Sequence, residues 1–424
     1  MPAAITVRGF RAPVIDSWWI SCETREDTMS SRSAETWEQT PPLPEGHYVS
    51  GRVYNDEEIF SDEREHIFKK IWHFVCHESE VAETFDFRTT ERADVPLIVT
   101  RGEDGRIRTF INVCSHRGAR VVMEPGGNAR THTCFYHHWT YDTRGSCVSM
   151  PRSDGYDGTG VCKENMGLRE VKTEVKWGFV FVNLDDESPP LDEYLDGALD
   201  IFDQVLPKAE LEVFHYHRAE IDANWKAYQE TIVDLYHEFM HVILRDTQMP
   251  AASMDDREMR TYANGHVTIA GLKADYDKYE GWTDRNGASC FPGLDPDDAR
   301  FAPLFPAQTF ITRGTVMRVD TVQPITAHKC LIESRGLGLK GESEEDRMMR
   351  IDHHNEYWGP FGRNVTEDAF AAEGCEFSFG KGAALRGIIA RDEGGKGQCD
   401  SGLRGFWTEW SRRMGRPFSH PTND

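Results

Sequence analysis

The chain has 424 residues, with 71 Asp and Glu against 48 Lys and Arg, for a formal net charge of −23. So acidic a surface repels phosphate backbones and anionic bilayers, which argues against nucleic-acid or membrane-surface binding. No apolar run approaches the ~18 residues of a membrane span, and the length favours two domains.

The first residues interrupt their apolar stretch with Arg8, Arg11 and Asp16. They have no continuous signal-peptide core, so the protein is expected to be cytoplasmic. Residues 1–44 are expected to form an arm, with Met29 a plausible alternative start. Residues 57–73 place Phe60, Ile67, Ile71 and Trp72 at mostly helical spacing. Residues 95–100 and 106–113 read as a β-hairpin, because Asp104-Gly105 supplies the positive φ of a tight turn. Strand-like runs follow at 130–141 and 177–184, predicting an all-β domain over 45–188 that ends at Ser188-Pro189-Pro190.

Beyond that boundary, 211–221 alternates as a strand and 224–246 is long enough for one helix. Residues 315–325 and 329–336 are strand-like, while 343–357 and 400–414 are helical. The fold class is therefore α+β: an N-terminal all-β domain, then an antiparallel sheet covered by helices over 189–424.

Ten cysteines in a reducing compartment are not a disulfide framework, so a spaced Cys/His set reads as metal ligands. Cys114-x-His116 and Cys134-x-x-His137 form such a set. Two thiolates and two imidazoles suit structural zinc or a [2Fe-2S] cluster with two His on one iron. Gly118 and Gly145 permit tight turns, and Trp139 and Tyr141 offer apolar cover. With Trp139 and Tyr141-Asp142 following the second pair, this segment resembles the cluster-binding motif of the Rieske ring-hydroxylating oxygenases. The resemblance implies that Cys114, His116, Cys134 and His137 hold the cluster. It also implies that the disulfide of respiratory-chain Rieske proteins, which would fall at Ala119 and Tyr136, is absent. His138 stands where that family has a small or uncharged residue, and it is expected to be exposed or to support the ligands.

The segment His237-Glu238-Phe239-Met240-His241 matches H-E-x-x-H, a zinc-hydrolase signature. A metzincin would need Gly at 244 and His at 247, where this chain has Leu244 and Thr247. On one helix, His237 and His241 lie at i and i+4, and Asp234 faces the same way. The alternative is a facial triad for Fe(II), two His and one carboxylate.

Residues 224–241 resemble the mononuclear-iron helix of Rieske oxygenase α subunits, although many members place four residues between the histidines and this chain has three. Residues 358–375 resemble the family's third-ligand segment, nominating Asp368, with Glu367 as fallback. The resemblance further implies that Asp234 carries electrons from His137 of a neighbouring subunit to His237. It implies a homotrimer or α3β3 assembly with a small β subunit, fed from NAD(P)H by a reductase and in some members a ferredoxin. Glu230 is a candidate to support the site.

The pattern around 358–375 resembles members acting on aromatic carboxylates. That predicts hydroxylation or cis-dihydroxylation of such a substrate, with Arg245 or Arg260 as its cation; a non-aromatic or sulfonated substrate is the alternative, as is a zinc metallohydrolase. His215 and His217 are expected to pack or hydrogen-bond, and His353-His354 to lie on a helix surface. Cys147, Cys162, Cys290, Cys330, Cys375 and Cys399 are expected to be buried thiols.

Overall fold

The computed structural model describes residues 43–241, 256–273 and 290–421. The expected arm over 1–44 falls almost wholly outside them, as does Arg245.

The chain enters through β1 (Tyr48–Ser50), α1 (Arg52–Asn55) and α2 (Glu57–Glu63), and a wider π turn over Arg64–Phe68. Helix α2 starts where it does because the Asp56 carboxylate accepts from the amides of Glu58 and Ile59. The predicted helix stops short of Trp72, which opens β2 (Trp72–His77), a strand buried throughout. Then come β3 (Asp86–Arg92), β4 (Val95–Arg101), β5 (Ile107–Ile111), β6 (Gly126–Asn128), β7 (Thr131–Thr133), β8 (Thr140–Asp142), β9 (Cys147–Ser149), β10 (Glu170–Lys176) and β11 (Phe179–Asn183). Strands β4 and β5 are the predicted hairpin, with Gly105 at φ +75° in its turn. Seven strands form an antiparallel sheet in the order β2-β11-β10-β5-β4-β3-β6, and β7-β8-β9 make a small separate sheet.

After α3 (Leu191–Leu195) a second seven-stranded antiparallel sheet forms, ordered β12-β18-β17-β16-β15-β14-β13 among the described residues. Its members are β12 (Leu211–Ile221), β13 (Glu258–Thr261), β14 (Val267–Lys273), β15 (Asp298–Leu304), β16 (Gln308–Arg313), β17 (Val316–Thr326) and β18 (Lys329–Leu339). Helices α4 (Trp225–Val233), α5 (Glu344–Trp358), α6 (Val365–Phe379) and α7 (Ser401–Met414) accompany it, and β19 (Arg386–Ile388) pairs with β1.

Two expectations need correction. His353 and His354 are fully buried rather than on a surface: α5 turns them onto the sheet, where His353 Nδ1 meets the Thr315 hydroxyl at 2.6 Å and the His354 ring packs on Phe214 and His215. Of the six cysteines expected to be buried, Cys162 and Cys375 are exposed and Cys290 is intermediate.

The two large sheets share one core. Phe74 and Phe179 pack edge-on against Phe310 of the second sheet, at ring distances of 5.9 and 5.1 Å. Gln308 bridges the sheets through the Phe74 amide (2.5 Å) and the Trp72 carbonyl (2.7 Å). Buried pairs Arg92–Glu333 (2.9 Å) and Arg335–Glu80 (2.8 Å) cross the same boundary. The entry segment also packs here. Glu63, fully buried, accepts from the indoles of Trp225 (2.8 Å) and Trp410 (2.7 Å) and pairs with Lys226 (2.8 Å), so every member of this buried polar group is partnered.

Candidate metal centres

The first centre is built from two loops that repeat one hydrogen-bond pattern. In one, the Cys114 amide donates to the Ala119 carbonyl (2.8 Å) and the Gly118 amide to the Cys114 carbonyl (2.9 Å). In the other, Cys134 N donates to Trp139 O (2.9 Å) and His138 N to Cys134 O (3.0 Å). Gly118 and His138 hold the same place in the two turns, both left-handed, at φ +73° and +58°. His138 closes the turn and is exposed, while the His137 ring faces His116 at 4.4 Å. Both thiols are buried, and His116 Nδ1 is buried without a hydrogen-bond partner. This mixed sulfur and nitrogen donor set fits a Rieske cluster.

Trp139 stacks on His116 at 4.7 Å and 8°, and the Tyr156 hydroxyl lies 3.2 Å from His116 Nε2. Tyr141 places its hydroxyl 3.2 Å from Cys114 Sγ, where it also accepts from the Ser115 amide at 3.2 Å, and burial pushes its pKa up. Phe135 and Tyr136 are exposed beside this centre, with Tyr136 lying on the His137 ring at 3.8 Å.

The second centre corrects the long-helix expectation. Helix α4 ends at Val233, and Asp234 is extended (φ −84°, ψ 117°). Its carboxylate accepts from the Tyr236 amide at 2.6 Å, the local bond by which Asp competes with helix continuation. A 3₁₀ turn over Tyr236–Met240 follows, with His241 capping it in extended geometry. His237 and His241 therefore meet across a tight turn rather than along one α-helical face.

Their Nε2 atoms are 3.1 Å apart, and each lies 3.2 Å from Asp368 Oδ1, which α6 brings from 127 residues beyond His241. Three lone-pair atoms at these spacings match one face of an octahedral ion, since ligand bonds of about 2.1 Å at roughly 90–100° put donors about 3.0–3.2 Å apart. Asp368 Oδ1 is buried and lacks a hydrogen-bond donor, as expected of an atom meant for a cation. Burial raises the Asp368 pKa, but the two histidines outweigh it and hold the group down at about 2. Burial likewise opposes charge on His237, yet Asp234 and Asp368 push it up to about 10. The site is a place for positive charge.

Each imidazole has a carboxylate on its far nitrogen. His241 Nδ1 meets Glu367 Oε2 at 2.7 Å, and His237 Nδ1 faces Asp234 Oδ2 at 3.7 Å. Asp368 thus faces the ion position, and the fallback Glu367 orients His241 instead. Glu230 accepts from the Tyr54 hydroxyl and the Trp407 indole, each at 2.7 Å; burial pushes its pKa up to about 7. Glu238, the glutamate of the H-E-x-x-H match, is committed to buried Arg257 at 2.6 Å.

A cavity beside the triad is lined by Thr231, Leu235, Phe301, Ile311, Asn364, Arg313 and Arg318. The two arginines are buried and escaped sequence reading, because only strand pairing brings them here. Asn364 puts its amide 3.3 Å from His241 Nε2. Arg260 is exposed and lies over the Tyr262 ring, so it is not the cation of this cavity.

Comparison with known proteins identifies both domains. Residues 71–171 match the Rieske [2Fe-2S] domain, and residues 208–416 match the catalytic domain of ring-hydroxylating α subunits. The chain is 44% identical over 387 residues to the α subunit of 2-aminobenzenesulfonate 2,3-dioxygenase from Alcaligenes sp, covering 91% of this chain and 98% of that one. It is 40% identical to the hydroxylase α subunit of methanesulfonate monooxygenase from Methylosulfonomonas methylovora, covering 93% and 97%. Among solved structures, naphthalene 1,2-dioxygenase from Rhodococcus sp. superposes with a TM-score of 0.74 at 22% identity, covering 87% and 94%. The chain belongs to the Rieske non-haem iron ring-hydroxylating oxygenase α subunits. It is an oxygenase subunit whose cofactors are a Rieske [2Fe-2S] cluster and a mononuclear iron, and the zinc metallohydrolase reading falls away.

Proposed function

We propose that this α subunit oxidises an organosulfonate, using dioxygen and electrons delivered from NAD(P)H by a reductase. The observation that carries this is full-length similarity, at 44% and 40% identity, to two oxygenase subunits named for sulfonate substrates. An aromatic carboxylate dioxygenase, the anthranilate enzyme of Burkholderia cepacia, is 28% identical. The sulfonated alternative is therefore preferred to an aromatic carboxylate. Two buried guanidinium groups in the cavity wall favour an anion of either kind.

In this reading Cys114 and Cys134 hold one iron of the cluster and His116 and His137 the other, while His237, His241 and Asp368 hold the mononuclear iron. Once bound, the cluster supplies single electrons and the ferrous iron supplies dioxygen activation. Glu367 accepts the Nδ1 proton of His241, leaving Nε2 free to ligate. Asp234 would receive His137 of a neighbouring subunit, a role supported by its partial exposure and its position on the far side of His237. The exposed Phe135 and Tyr136 suit that contact. The assembly is a homotrimer or α3β3 with a small β subunit, acting in the cytoplasm and fed through the reductase with or without a ferredoxin. The domains are 45–188 for the cluster and 189–424 for the iron, with residues 1–44 as an arm.

The test is oxygen uptake with isotope-labelled dioxygen, NAD(P)H and a reductase, comparing 2-aminobenzenesulfonate, methanesulfonate and benzoate. Labelled product from a sulfonate is expected. Labelled product from benzoate alone would replace this reading with the carboxylate one.

A further inference from the structure

Strand register places Ile269, Phe301, Ile311, Arg318, Gly336 and His215 in one row across the second sheet. Phe301, Ile311 and Arg318 of that row line the cavity beside His237, His241 and Asp368. Arg318 is the cation of the row, only 1% exposed. Its neighbour is glycine for a steric reason: a Cβ at Gly336 would come within 2.7 Å of the His354 ring.

The guanidinium is held from two sides. Its Nε lies 2.6 Å from an Asp320 carboxylate oxygen as an ion pair without hydrogen-bond geometry, and its Cζ lies 5.0 Å from the centroid of the Trp358 ring. Both Nε and Nη1 are buried without a hydrogen-bond partner, and Nη1 also lies away from the Asp320 contact. A buried N–H without an acceptor is costly, and a planar donor fork fixed by a carboxylate and an indole is pre-organised for an oxyanion.

We propose that Arg318 binds the anionic head of the substrate in the iron cavity, with Asp320 and Trp358 as its positioning residues. This rests on the sulfonate reading above and names the group that carries it. A sulfonate presents three acceptor oxygens, so one can take Nη1 while the carbon skeleton extends toward the triad. Ile311 on the adjacent strand and Phe301 on the one beyond it supply the apolar wall for that skeleton.

The experiment is calorimetric titration of the complete, iron-loaded oxygenase with 2-aminobenzenesulfonate and with aniline, its uncharged counterpart. R318Q alone would leave Asp320 an uncompensated buried charge, so R318Q/D320N is measured beside it, and R318K serves as the conservative variant. Iron and acid-labile sulfide content report whether each variant is intact.

The expected result is a roughly 10- to 150-fold loss of sulfonate affinity in R318Q/D320N, with a much smaller change for aniline and partial recovery in R318K. Equal losses for both ligands, or sulfonate binding at the wild-type level, would overturn the assignment while leaving the sulfonate reading standing. A wild-type oxygenase that neither binds nor oxidises any sulfonate would overturn the reading beneath it.

Discussion

Asp368 Oδ1 is a buried acceptor 3.2 Å from two imidazole nitrogens, an arrangement that favours positive charge between them. Asp368→Asn is expected to reduce iron from about three to about two per chain while leaving two labile sulfides, as read by metal and sulfide analysis. Tyr141 offers a different lever. Its hydroxyl lies 3.2 Å from Cys114 Sγ, and donation to a cluster-bound thiolate there would favour the more negative, reduced cluster. Tyr141→Phe removes a bond worth about 1 kcal/mol, so redox titration followed by EPR should show a potential lowered by roughly 40 mV. An unchanged potential would mean that the hydroxyl serves only the Ser115 amide. Cys114, His116, Cys134 and His137 were legible from spacing. Why His138 turns away while His137 faces His116 was not, because a left-handed φ at position 138 is a property of the folded turn.

The segment from α4 to His241 shows how a local bond changes an element. Apolar spacing predicts one long helix, but the Asp234 side chain takes the Tyr236 amide and ends it. The break frees His237 and His241 to converge within 3.1 Å, and it turns Asp234 out beside His237 Nδ1. Asp234→Ala should leave both metal sites filled and the cluster reducible, yet slow substrate-dependent reoxidation of the cluster roughly 10–100-fold in stopped-flow absorbance. Reoxidation at the wild-type rate would sink the electron-path assignment.

Across the whole molecule, the two sheets are joined by buried ion pairs as well as by aromatic packing. Burial pushes the Glu333 pKa up, but Arg92 and Arg335 dominate and hold it down at about 2 against an ordinary 4.5. A depressed carboxylate pKa stabilises the fold fully above the unfolded value and loses that contribution as pH falls through the folded one. Glu333→Gln should therefore cost roughly 3 kcal/mol at neutral pH. In chemical denaturation, its stability should converge on that of wild type as pH drops from about 4.5 toward 2. A constant difference across that range would mean that Glu333 acts by packing alone.

The order of the two metal motifs, the hairpin over 95–113, the strands at 211–221 and 315–336 and the helix at 400–414 were readable from the chain. Each is set by local spacing, turn chemistry or side-chain periodicity. The carboxylate opposite His237 and His241 was readable only through resemblance, since it lies 127 residues beyond His241. Arg313, Arg318 and the buried pair His353-His354 carried no signal at all. A cation or imidazole in a strand or helix looks like surface until register and layer packing decide which face closes over the iron. The sequence determined which chemistry was available, through ligand types and their local spacing. The tertiary structure decided which charges surround it, because burial and cross-strand pairing are properties of no single segment.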